Sequence, residues 1–78
     1  MSLETFIGHM EEAIEDLPEG LLEASTNYLK LEVWDSLAVL MVIAMIDTEY
    51  GVRIKGSVLK TCSSVEALYQ MVQERLPE

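Results

Sequence analysis

The sequence predicts an all-α fold: a four-helix bundle of three main helices plus a short third helix, with a long first loop. Three observations carry this expectation. Apolar residues recur at helical spacing in the first and last stretches of the chain. Between them a continuous apolar run, Ala38 to Ile46, follows closely on Asp35-Ser36, a polar pair suited to start a helix. Residues that stop or turn a helix, Pro18 with Gly20 and then Gly51, fall where those patterns end.

The first helix opens on Ser2 as N-cap. Leu3, Phe6, Ile7, Met10, Ala13, Ile14 and Leu17 form one apolar face, while Glu4, Glu11, Glu12, Glu15 and Asp16 fall elsewhere, and Pro18 with Gly20 ends the helix or turns the chain close after it. His9 reads as an ordinary surface or boundary residue, because no second His or Cys stands at metal-ligand spacing. Residues 18 to 35 form the long connection. Its Leu21, Leu22, Tyr28, Leu29, Leu31 and Trp34 are too many large apolar residues for a free linker, since they gain by packing onto the helices. Leu21 to Ala24 is expected to form a short helical turn, and Trp34 either pins the end of the loop before Ser36 or plays a plain core role.

The second helix is expected from about Ser36 to Tyr50, with Gly51 as its stop. Asp47, Thr48 and Glu49 mark its wet side, so the inward stripe is Val39, Val42, Ile43, Ile46 and Tyr50. Leu37, Leu40, Met41 and Ala44, with Met45 at their edge, are left on an outward apolar surface. Such a surface marks a partner or a ligand, unless the helix is buried on all sides. Ile54 to Thr61 reads as a loop with a short third helix that turns Val58 and Leu59 inward. Cys62 would need a neighbouring base to act as a nucleophile, and His9 is the sole histidine. The last helix opens on the capping box Ser63-Ser64-Val65-Glu66, with Val65, Leu68, Tyr69, Val72 and Leu76 as its core stripe and Pro77 closing the chain.

At 78 residues the chain is one domain, 1–78, near the lower limit of what a core sustains without staples. Fourteen acidic against five basic residues give a formal charge of −9, which argues against nucleic acid and anionic membranes as partners and favours basic protein surfaces. Half the composition is apolar, which argues against disorder. A single cysteine and no charged-then-apolar leader before the first helix point to a reducing, cytoplasmic setting, and a monomer is expected. The longest apolar run, Leu37 to Ile46, is too short for membrane insertion.

One place in this layout is suited to chemistry. With Asp35 at the N-cap, Ser36 falls on the first turn, where free backbone N–H groups and the positive end of the helix dipole favour an attached anion such as a phosphodiester. Asp35-Ser36-Leu37 at the head of a helix, near the middle of an acidic chain of this length, resembles the attachment motif of acyl carrier proteins. The likeness extends over the amphipathic first helix, the long loop, Glu49-Tyr50-Gly51-Val52-Arg53-Ile54 and Ser63-Ser64-Val65-Glu66-Ala67-Leu68. The Trp34-Asp35-Ser36-Leu37 form resembles carriers of specialised pathways more than those of general fatty acid synthesis.

The resemblance implies a carrier and not an enzyme. Ser36, flanked by Asp35 and Leu37, would take a phosphopantetheine arm from coenzyme A, and the thiol of the arm would hold acyl or aminoacyl groups as thioesters. The implied partners are a phosphopantetheinyl transferase, acyl-loading and acyl-transfer enzymes, and the acyl chain itself. That chain is expected to be sheltered between the second helix and the third-helix region if Met41, Met45 and Met71 serve as adaptable filling; the equal alternative is that these are ordinary core or surface methionines. The sequence departs from the common carriers in two ways. Ala38, Met41 and Met45 stand where acidic residues would be expected, and Arg53, Lys55 and Lys60 make the region after the second helix basic. Docking through Leu37, Leu40, Met41 and Ala44 should therefore lean on apolar burial, with few charges near the contact. Two other readings stand beside this one: an unmodified helical interaction module, and a peptidyl carrier, whose glycines ahead of the serine are here Trp34 and Asp35.

Overall fold

A computed structural model describes residues 2–18 and 20–76, and those residues form the expected helical bundle. Its elements are α1 (Leu3–Ala13), a single 3-10 turn (Tyr28–Lys30), α2 (Ser36–Tyr50), the short α3 (Gly56–Thr61) and α4 (Val65–Arg75). α1 packs on α2 and α4, and α2 also packs on α3. The core gathers one stripe from each: Phe6 and Met10 of α1, Val42 and Ile46 of α2, Leu59 of α3, and Val65, Leu68 and Val72 of α4 are all fully buried. Phe6 lies at the centre of an aromatic group, its ring 5.7 Å from Tyr50 and 5.5 Å from Tyr69.

α1 starts as expected, with the Ser2 hydroxyl accepting the Thr5 N–H. It ends earlier than the apolar periodicity suggested. Ile14 leaves the helix in an extended conformation and Asp16 takes a left-handed one, with φ of 63°. Ile14 still reaches the core, so the spacing that placed it on the apolar face was right about burial and wrong about the helix. The chain then turns back along α1, where Glu11 Oε2 accepts the N–H groups of Gly20 at 2.8 Å and Leu22 at 3.2 Å. Leu22 is buried while Leu21 stays half exposed.

The long loop is held by polar contacts as much as by apolar ones. The expected turn at Leu21–Ala24 is absent, and the helical turn falls instead at Tyr28–Lys30, where the Asn27 side chain accepts the Leu29 N–H. The reason lies at α4: the carbonyls of Ala24 and Thr26 accept the N–H groups of Glu66 and Val65, so the chain turns at Ala24 and Ser25, with the Thr26 N–H on the Glu23 carbonyl, against the start of that helix. The same contact moves the expected cap. The N-cap of α4 is Ser64, whose hydroxyl accepts the Ala67 N–H, so Glu66 falls too early to close a capping box.

α2 ends as expected at Gly51, left-handed with φ of 68°, whose N–H reaches the Asp47 carbonyl. Val58 packs against the core beside the buried Leu59 of α3, and Tyr69 and Leu76 pack on it from α4. Pro77 lies outside the described residues. No helix is long and apolar enough to cross a membrane among the described residues.

Candidate functional site

The end of the long loop is fixed by an aromatic relay. Tyr28 is fully buried, its hydroxyl donates to the Leu59 carbonyl of α3, and its ring meets Trp34 edge-on at 4.9 Å. Trp34 thus does pin the chain just ahead of α2. Asp35 follows in an extended conformation, and its carboxylate Oδ1 accepts the Ala38 N–H at 2.8 Å while its carbonyl accepts that of Val39 at 3.0 Å. Ser36 is the first residue of the helix and is exposed. Asp35 serves the N–H groups of Ala38 and Val39, leaving those of Ser36 and Leu37 with no acceptor among the described residues. An anion attached to Ser36 would meet those donors and the positive end of the helix dipole.

Grooves open on both sides of this point. Between α2 and α3 lies one of about 440 Å³, lined by Ser36, Val39, Leu40, Gly56, Ser57 and Lys60. On the other side a first hollow of about 180 Å³, between the start of α2 and the chain just past the end of α1, is lined by Glu15, Asp16, Val33, Asp35, Leu37, Ala38 and Met41. Met41 also lines the next hollow, of about 270 Å³, with His9, Glu12, Ala13, Ala44, Met45, Thr48 and Glu49.

The expected outward surface exists: Leu37, Leu40 and Met41 are 51%, 63% and 38% exposed, and Ala44 is exposed with them. Three details differ from the sequence reading. Met45 is half-buried against the core and so does not belong to that surface, and Ala38, one of the positions where an acidic residue would be expected, is buried. Met41 and Met45 face α1, and Met71 packs on the core from α4; none of the three lines the groove beside α3. Nor are charges few around Met41, because Glu12 of α1 and Glu15 and Asp16, just past its end, line the same hollows. A helical-wheel argument on α2 cannot see what its neighbour contributes.

His9 is better connected than its sequence position suggested. Its Nδ1 shares a 2.8 Å hydrogen bond with the Tyr50 hydroxyl, and its Nε2 lies 3.9 Å from Glu49, tying α1 to the end of α2. Burial, then the neighbouring Glu49 and Tyr69, raises the Tyr50 hydroxyl above its ordinary pKa. Nothing local signals a pair so far apart in the chain. Cys62 is a buried free thiol in the core beside Tyr28, and no hydrogen bond joins it to His9 among the described residues.

A helical bundle that presents an exposed serine at the start of its second main helix, between open grooves, has the form of a carrier domain. The family model described as "Phosphopantetheine attachment site" matches residues 5–72, and the chain belongs to that family. It is therefore a carrier and not an enzyme, of a family whose members bear a covalently attached phosphopantetheine. No curated protein and no solved structure gives a match.

Proposed function

We propose that Ser36 is the attachment residue and that the protein delivers acyl groups to the enzymes of a specialised biosynthetic pathway of fatty acid or polyketide type. The observation that carries this reading is the exposed Ser36 hydroxyl at the first position of α2, beside two backbone N–H groups left open by the Asp35 cap. In loading, Ser36 Oγ forms a bond to phosphorus of coenzyme A, the adenosine bisphosphate leaves, and the serine proton passes to a base of the transferase. The arm then supplies a thiol that holds cargo as a thioester. Acyl cargo is favoured over aminoacyl because Trp34 and Asp35 precede the serine where peptidyl carriers resemble one another in having glycines. Intact mass after incubation with coenzyme A and a phosphopantetheinyl transferase tests the reading: one arm per chain is expected, and an unchanged mass rejects it.

The α2–α3 groove is the place for an acyl chain to lie, since Ser36 stands on its rim and Val39 and Leu40 offer apolar surface inside it. Methyl resonances of Val39 and Leu40 are expected to shift progressively as longer acyl chains are attached. Shifts that stop growing after the shortest chain would place the tail outside.

Leu37, Leu40, Met41 and Ala44 form the surface that partner enzymes meet first, because they surround Ser36 and are exposed without being polar. If Met41 is a buried anchor in the complex with the transferase, Met41→Ala weakens binding by about 1–2 kcal/mol. Affinity across a salt series separates this from purely electrostatic docking, in which Met41→Ala binds like the native chain and salt alone dissolves the complex.

A further inference from the structure

The groove between α2 and α3 differs in charge from the hollows elsewhere on the molecule. In a chain of 14 acidic and five basic residues, four other hollows are each lined by at least two carboxylates. The groove that holds Ser36 is lined by none and carries Lys60. The polar side chains on its α3 wall are also uncommitted. Ser57 and Lys60 are exposed and stand three residues apart, neighbours on one face of α3, and neither side chain has a hydrogen bond or an ion pair among the described residues. On the α2 wall Val39 and Leu40 are apolar, and α3 comes so near that a Cβ on Gly56 would meet Val39 Cγ1 at 3.5 Å. The groove therefore joins Ser36, an apolar wall, and a wall that offers a hydroxyl and an ammonium group.

We propose that the α2–α3 groove receives cargo that ends in a carboxylate: a dicarboxylic acid held on the arm through one end, with its methylenes on Val39 and Leu40 and its free carboxylate met by Lys60 and Ser57. The inference rests on Ser36 as the attachment residue and names the class of acyl group it carries. A plain hydrocarbon tail would use Val39 and Leu40 but not the ammonium group. A chain of net charge −9 repels an anionic cargo over most of its surface, so one unpaired cation in a groove free of carboxylates decides where such a cargo lies. The contact need not be strong. An exposed lysine–carboxylate pair contributes little between separate molecules, but a tethered cargo meets the groove at an effective concentration on the order of millimolar. The arm brings a second anion, its phosphodiester, and the open N–H groups at the head of α2 serve that one.

The test loads the full chain from coenzyme A thioesters with a phosphopantetheinyl transferase, giving the arm alone, the arm with hexanoyl, and the arm with adipoyl, which has as many carbons but ends in a carboxyl. Intact mass reports loading, and a carbon-13 label on the free adipoyl carboxyl reports its pKa by NMR. Lys60→Gln is expected to raise that pKa by about half a unit, because the cation that favours the charged form is gone. Lys55→Gln removes the same charge just ahead of α3 but outside the groove, and should move the pKa far less. The amides of Ser57 and Lys60 should shift with adipoyl and stay in place with hexanoyl or the arm alone. A carboxyl that titrates alike in the native chain and in Lys60→Gln overturns the proposal, as does an equal rise in Lys55→Gln. Shifts at Ser57 and Lys60 already complete with the arm alone also overturn it, and give the cation to the phosphodiester. Any of these in a chain that loads refutes the cargo inference alone, whereas a chain that takes no arm refutes the attachment reading and this inference with it.

Discussion

Ser36→Ala is expected to abolish loading from coenzyme A while leaving the fold in place. Loading requires a nucleophilic oxygen, and alanine supplies none, so the modified fraction should fall to zero and not merely decline. Stability should change by no more than about 0.5 kcal/mol, as for other exposed surface positions. The N-cap contact is untouched because it belongs to Asp35, not to Ser36. The other serines are placed differently. Ser64 spends its hydroxyl capping α4, Ser25 lies in the loop, and Ser63 precedes the α4 cap. Ser57 is the informative competitor, since it lines the same groove as Ser36. It is the second residue of a helix of six whose N-cap, Lys55, makes no side-chain cap bond. Tryptic mass spectrometry of the loaded protein decides the matter. An arm recovered on Ser57, or an undiminished yield from Ser36→Ala, would move the attachment site.

How much of this was legible in the sequence depends on the range of the forces involved. The start of α2 was legible because its cap is local: Asp35 reaches the Ala38 N–H three residues on, and the side-chain type announces it. The glycine stop at Gly51 is equally local. The early end of α1 was not legible, because the apolar spacing continues through Ile14 after the backbone has left the helix. The path of the loop was hidden for a related reason. Ala24 and Thr26 are held by the N–H groups of Val65 and Glu66, and no propensity of their own predicts it. The outward face of α2 was found from α2 alone, but Glu12 of α1 and Glu15 and Asp16, just past its end, come to Met41 only with tertiary packing.

Tyr28 should be the most sensitive residue for positioning the site, and its two substitutions separate packing from hydrogen bonding. Tyr28→Ala removes a fully buried aromatic ring together with its contact to Trp34, at an expected cost of about 3–5 kcal/mol. At about 0.05–0.15 kcal/mol per residue a domain of this size has about 4–12 kcal/mol in all, so this one substitution should remove a large share of its stability. Tyr28→Phe keeps the ring but leaves the Leu59 carbonyl without its donor, at about 1–3 kcal/mol. That corresponds to a drop in Tm of about 4–8 °C for each kcal/mol. Burial, with Cys62 beside it, pushes the Tyr28 hydroxyl well above its ordinary pKa. A folded pKa raised above the unfolded one means that the contribution is complete below pH about 10 and drains away as the pH climbs beyond it. The native chain should therefore lose stability above that pH faster than Tyr28→Phe, and the gap between their melting temperatures should close. Thermal unfolding followed by circular dichroism from neutral to alkaline pH measures both effects. A Tyr28→Phe chain that melts with the native one at neutral pH would show that ring packing alone holds Trp34, and through it the start of α2, in place.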